Sequence, residues 1–311
     1  MLRGAGKSFF PESKAYLGQL SNADFADQPC VVKRYLEEKQ RWAVQLLHPR
    51  FQGKQILVSE EKLLFDGYAA PPEHQVPLPE HLYEAPAEGC GLALYTSKAM
   101  AEGAVVLEES PFMVVNNSGS PVESRWNLYT RTVAEQGASS PVIRALEELS
   151  DGGLADRLLP EAAALFRVMV EKSSKPPEVK QMMIGSDEAQ ELRDGQAARI
   201  AGVLARWQAN GHAFRPRGEE TKEGHSALYR RFSRLLHSCE PNCCRSLCAE
   251  TGRITVQALR PLRPGEPLAI DYEAKDPNFL QLPLAERRAR LLERGFTCAC
   301  ARCLRETAGG G

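Results

Sequence analysis

The chain has 311 residues, enough to bury a sizeable core as one main domain with a smaller unit beside it. Its 39 Lys and Arg nearly balance 40 Asp and Glu, so it lacks the basic surplus that direct nucleic-acid binding draws on. No apolar run nears the roughly 18 residues of a membrane span, and the basic start at 1–10 lacks the apolar stretch of a signal peptide. A soluble intracellular protein of the nucleus or cytoplasm is expected, with no membrane partner.

In chain order, residues 1–16 carry little pattern and are expected to be loose. Residues 30–36 are β-prone, 37–40 form a polar turn, and 41–47 alternate, with Trp42, Val44 and Leu46 on one face. A third strand follows at 55–58. Several strands in so short a stretch predict a small β-barrel over 17–68, resembling the Src-homology-3 type, and a place to dock a partner. The segment 69–82 contains Pro71, Pro72, Pro77 and Pro79 and reads as a stiff linker. The main domain is expected over 83–304. It opens with strands across 88–115 and continues with a helical insertion at 116–224. Helices are predicted at 124–136, 141–149, 160–172 and 186–209, with a polar break at 172–177. Strands return over 254–272, and a short helix at 284–294 carries arginines on its solvent side.

The nine cysteines are odd in number and clustered. Cys298, Cys300 and Cys303 place three thiols within six residues, a spacing suited to a metal in a reducing compartment. Zn²⁺ takes four tetrahedral ligands and favours thiolate. Cys239 is the expected fourth ligand, with Cys243, Cys244 or Cys248 able to substitute. A closed four-thiolate shell leaves no position for water, so this zinc would be structural and would pin the tail to the domain.

Other residues are weaker signals singly. Gly89-Cys90-Gly91-Leu92 reads as a tight turn, and without a third glycine it is no dinucleotide site. Tyr272, ending the apolar run 267–272, and Tyr229 each read as core tyrosines with satisfied hydroxyls. His237 alone reads as structural.

Their order changes this. Gly89-x-Gly91-Leu92, a helical insertion, Leu228-Tyr229, His237-Ser238-Cys239-Glu240-Pro241-Asn242, Gly265-Glu266 through Ile270-Asp271-Tyr272, and Phe296-x-Cys298-x-Cys300-x-x-Cys303 follow one another. This set resembles the SET-domain protein lysine methyltransferases over about 83–304. The spacing after Ala227-Leu228-Tyr229 and the Glu286–Leu292 segment are similar to the SET-and-MYND subfamily. The resemblance implies a mainly β fold of the β-clip type with a helical insertion, a pseudoknot and a zinc site after the SET domain. It implies S-adenosylmethionine as cofactor and a lysine of a histone or other protein or peptide as substrate. By position, Gly89, Gly91, Leu92, His237, Asn242, Tyr272 and Phe296 would bind the cofactor, His237 through its backbone. Tyr272 would be the catalytic tyrosine beside the transferring methyl, with Tyr229 as a second catalytic tyrosine. Two departures stand out. Leu236 occupies a position where the family usually has asparagine, and 116–224 hold no cysteine for a MYND finger. The subfamily's helical C-terminal domain is not expected either. A noncatalytic SET-fold interaction module is the alternative that Leu236 raises.

Overall fold

The computed structural model describes residues 14–17, 20, 25, 28–59, 62–70, 77–117, 120–214, 224–248 and 252–308. Of the N-terminal stretch read as loose, 1–13 lie outside the described residues. Positions 14–16 instead belong to strand β1 (Lys14–Leu17), because β1 lies between β2 (Pro29–Leu36) and β5 (Leu63–Ala69) and both ladders hold it. β3 (Arg41–Leu46) and β4 (Gln55–Val58) extend the meander. The period-2 pattern is realised: Trp42, Val44 and Leu46 are buried against Leu17, Cys30, Val32 and Val58.

The ladder does not end there. β5 pairs onward with β9 (Met113–Asn116) through Tyr68↔Val114 and Ala69↔Met113. β9 pairs with β11 (His225–Leu228), and β11 with β10 (His212–Phe214), giving one eight-stranded antiparallel order. Gly67 makes the joint: its φ is +144°, and a Cβ there would sit 3.2 Å from the Val114 carbonyl oxygen. Hydrogen bonding thus crosses the expected boundary at 68–69. Among the described residues no β4–β5 pairing closes the N-terminal strands into a barrel. In the expected linker, 71–76 lie outside the described residues.

The insertion carries five helices: α1 (Pro121–Gln136), α2 (Pro141–Glu147), α3 (Ala155–Lys172), α4 (Pro177–Gly185) and α5 (Gln190–Asn210). Trp126, Tyr129, Ile143, Ile200, Leu204 and Trp207 pack with Met113 and Val115 of β9, so the helices cover one face of the sheet. α1 starts earlier than predicted because Ser120 caps it, accepting from the Glu123 amide at 3.3 Å with Pro121 at the first position. α4 was not predicted. It buries no residue, so no apolar face announces it. Both ends of the insertion meet: Asn116 pairs with His225, and the Asn117 amide donates to the Gly224 carbonyl at 3.0 Å.

A second core gathers the elements that build the site. β6 (Leu82–Ala87) and β7 (Gly91–Thr96) form a hairpin. β8 (Val105–Glu109), β14 (Ile254–Ala258) and β13 (Cys243–Leu247) form a three-stranded sheet. β12 (Leu236–His237) runs parallel to β15 (Ala269–Ile270). Leu94, Val106, Val114, Tyr229, Phe232, Val256, Leu268 and Ile270 fill the space between. Each such side chain contributes about 1.5–3 kcal/mol on burial. At the C-terminus, α6 (Leu284–Leu292) and the unpredicted α7 (Ala301–Ala308) pack Leu291 against Phe279, Cys239 and Cys298. Among the described residues no helix is long and apolar enough to cross a membrane.

Candidate active site and metal centre

Asn242 locks the strand that carries Tyr272. Its side-chain amide donates to the Pro267 carbonyl at 2.8 Å and to Glu266 at 3.1 Å, and its oxygen accepts from the Ala269 amide at 2.8 Å. Fully engaged and buried, Asn242 positions the chain; its side chain is not held out toward a ligand. Glu266 completes the lock. Burial raises its pKa, but bonds from Arg260, the Arg263 amide and Asn242 outweigh that and hold it down to about 2.

From this frame β12 and β15 run side by side. The Leu236 amide donates to Leu268 and the Ser238 amide to Ile270, each at 3.0 Å. Strand alternation turns the His237 backbone to the opposite edge, where it is free of this ladder. The His237 ring is fixed as well. Its Nδ1 accepts from the Tyr272 amide at 3.2 Å, so the proton sits on Nε2, which faces Cys239 Sγ at 3.4 Å.

Tyr272 lies at the centre. Its hydroxyl donates to the Leu235 carbonyl at 2.5 Å. Burial, then the nearby Cys90 thiol, push its pKa up to about 12. The phenol is therefore neutral at pH 7, a fixed dipole and no general base. Gly89 and Gly91 have φ of +69° and +75°, which the turn requires, and Leu92 is exposed on its rim. Ring centroids of His237 lie 5.2 Å from Tyr272 and 5.9 Å from Phe296, and Tyr272 lies 5.9 Å from Phe296. Phe279 joins at 6.0 Å from His237. The sequence reading missed Phe279, which stands in no motif.

Tyr229, expected as a second catalytic tyrosine, is fully buried. Its hydroxyl donates to the Gly252 carbonyl at 2.5 Å, and its ring packs 5.8 Å from Phe232. It is a wall residue with its polar atom spent elsewhere.

Beside the aromatic cluster, the sulfurs of Cys239, Cys298, Cys300 and Cys303 all lie within 4.8 Å of one another. Zn–S bonds of about 2.3 Å imply sulfur–sulfur edges of about 3.8 Å in a tetrahedron, and Cys303 and Cys239 stand 3.7 Å apart. The amides of Cys239 and Cys300 point at Cys300 Sγ and Cys298 Sγ, 3.4 and 3.5 Å away, as suits thiolate acceptors. A bond from Cys239 is the main reason that the Cys298 thiol is held down to about 3, and the same bond pushes Cys239 up. The donor set fits zinc and leaves no open position. Cys243, Cys244 and Cys248 lie on or just beyond β13, outside the cluster.

Arg287 corrects the expectation that the arginines of 284–294 face solvent. It is 1% exposed, donating to the Leu282 carbonyl, to Glu306 at 2.5 Å and toward Cys303 Sγ at 3.9 Å. A buried guanidinium needs such partners, and here it also offsets the negative charge of the thiolate corner.

The model of the SET domain matches residues 91–273, more than half of the chain. The chain belongs to the SET-domain family. SET domains are generally protein lysine methyltransferases, and the match spans the β7 edge, the His237 segment and Tyr272. No curated protein matches the chain.

Proposed function

We propose that this SET-domain chain transfers a methyl group from S-adenosylmethionine to a lysine side chain of a protein or peptide. One observation carries the reading: His237, Tyr272 and Phe296, far apart in sequence, converge on one aromatic cluster. The cofactor would supply a methyl group made electrophilic by its sulfonium. Gly89, Gly91, Leu92, the free edge of His237 and Phe296 are the residues that would hold it, and aromatic faces favour such a cation. A lysine amine, ordinarily protonated with a pKa of about 10.4, loses its proton to water as it enters apolar surroundings. Its lone pair then forms the N–C bond as the S–C bond breaks. Tyr272, a neutral donor anchored on Leu235, orients the reactants, and the rate comes mainly from alignment.

Zinc at Cys239, Cys298, Cys300 and Cys303 is proposed as structural. It holds the tail that delivers Phe296 to the cluster. The parallel pairing of 236–237 with 269–270 and the Asn242 bonds to Pro267 and Ala269 are contacts that support a pseudoknot. The nine unpaired thiols suit a reducing compartment, nuclear or cytoplasmic.

Leu236 favours a second reading, a noncatalytic SET-fold module that engages a partner through its N-terminal strands. Calorimetry of S-adenosylmethionine binding to zinc-loaded protein, with Leu236→Asn alongside, separates the two. Micromolar binding by the natural chain, followed by transfer of labelled methyl to protein lysine, is the expected result. Absence of binding, restored by Leu236→Asn, would overturn the transferase reading in favour of the module.

A further inference from the structure

A cavity of about 100 Å³ opens against Tyr272. Residues 209–213, Phe232, Ser233, Arg245, Ile270, Glu273, Lys275 and Arg294 complete its wall. Its charges do not balance. Arg294 is paired with Glu273. Arg245 has no carboxylate partner among the described residues; it lies 5.8 Å from the Phe232 ring and donates to His212 Nδ1 at 3.1 Å. Burial, with Arg245 next, lowers the His212 pKa to about 3, so His212 is neutral and cancels no charge. Lys275 is exposed at the wall and forms no ion pair among the described residues. Asp271 lies within electrostatic reach of Arg245 without forming an ion pair, so one net positive charge is left over, and Arg245 remains a half-buried guanidinium with N–H donors to spare. Arginine stays protonated under these conditions, and a half-buried cation without a paired counter-ion favours an incoming anion.

We infer that this cavity binds a carboxylate of the substrate polypeptide, an Asp or Glu side chain near the lysine to be methylated. The volume suits one carboxylate with a water or two. The position against Tyr272 makes the ligand part of the molecule being modified. That last step rests on the transferase reading; the anion site itself rests on Arg245, Lys275 and the cavity.

The test uses the full zinc-loaded chain and a set of neutral peptides with one central lysine. Each carries a single aspartate at one of the positions from three before to three after the lysine. Binding is followed by fluorescence anisotropy, with inorganic phosphate and acetate as competitors. At one position aspartate should tighten binding about tenfold over alanine. Arg245→Gln and the surface variant Lys275→Ala should each bring that ratio close to one while keeping the zinc content and melting temperature of the natural chain. No gain from aspartate at any position, or a gain untouched by Lys275→Ala, overturns the inference. So does phosphate binding to the cavity without any peptide preference, which would mark a free-anion site. Failure of the transferase reading appears separately, as absent S-adenosylmethionine binding with the acidic-peptide preference intact.

Discussion

Two corners flank Tyr272, and they are built by opposite means. The thiol corner takes three of its four sulfurs from six consecutive residues, with only Cys239 brought from about sixty residues upstream. The cationic cavity takes its wall from five separate stretches between 209 and 294, none forming a motif. The first would be held by bonds to one metal ion, the second is held by packing of neighbouring elements. A corner of the first kind is all-or-none in its ligands, whereas one of the second kind tolerates single changes and tunes by degrees.

That contrast is sharpest in stability. Cys298→Ser should cost at least ~4 kcal/mol by loss of a zinc ligand, read as a fall in melting temperature together with bound metal below one equivalent. Cys248→Ser, on an exposed thiol, should stay within about 0.5 kcal/mol; an equal effect from both would break the assignment of ligands. Next comes Arg287→Ala, expected to cost about 3 kcal/mol because it empties a buried site, leaves the Leu282 carbonyl without its donor and leaves Glu306 with Arg302 alone. Denaturant unfolding would measure it, and Arg287→Lys should recover only part, since a lysine lacks the planar fork.

At the seam between the corners, Tyr272→Phe should lower methyl transfer about a hundredfold while costing about 1 kcal/mol in stability. Single-turnover methyl transfer beside thermal unfolding tests this split. Full retained activity would take the hydroxyl out of the mechanism. The smallest effect concerns the lock behind the seam. Glu266 has a folded pKa of about 2 against an ordinary 4.5, so it stabilises the fold above about pH 4.5. That contribution fades as pH falls toward 2, because the folded state binds the proton less readily than the unfolded chain. Glu266→Gln should flatten the stability profile in that window; an unchanged slope would remove Glu266 from the lock.

The same division decided what could be read from the chain. Cys298, Cys300 and Cys303 were legible because ligand geometry is written in their spacing, and Tyr272 and His237 because the ordered motifs resemble a family. Trp42, Val44 and Leu46 were legible through strand period. Arg287 looked like a solvent-facing helical arginine because nothing local reports the carbonyl, carboxylate and thiol awaiting it. The bonds of the Asn242 side chain to Ala269 and Pro267 span some twenty-five residues, and no local pattern encodes them. α4 escaped because a helix without a buried face leaves no periodicity. The run of β5 into β9 escaped because edge-to-edge pairing depends on a glycine joint, Gly67, that reads like any other glycine in a strand.

The meeting of Asn117 with Gly224 has a further consequence for how such a chain varies. The excursion from α1 through β10 leaves and rejoins at one place, where Asn117 meets Gly224 and Ser226. Closing a longer or shorter excursion there changes the entropy only logarithmically. Its length is therefore free to vary as long as the helices that cover Met113, Val115 and Leu228 keep their apolar face.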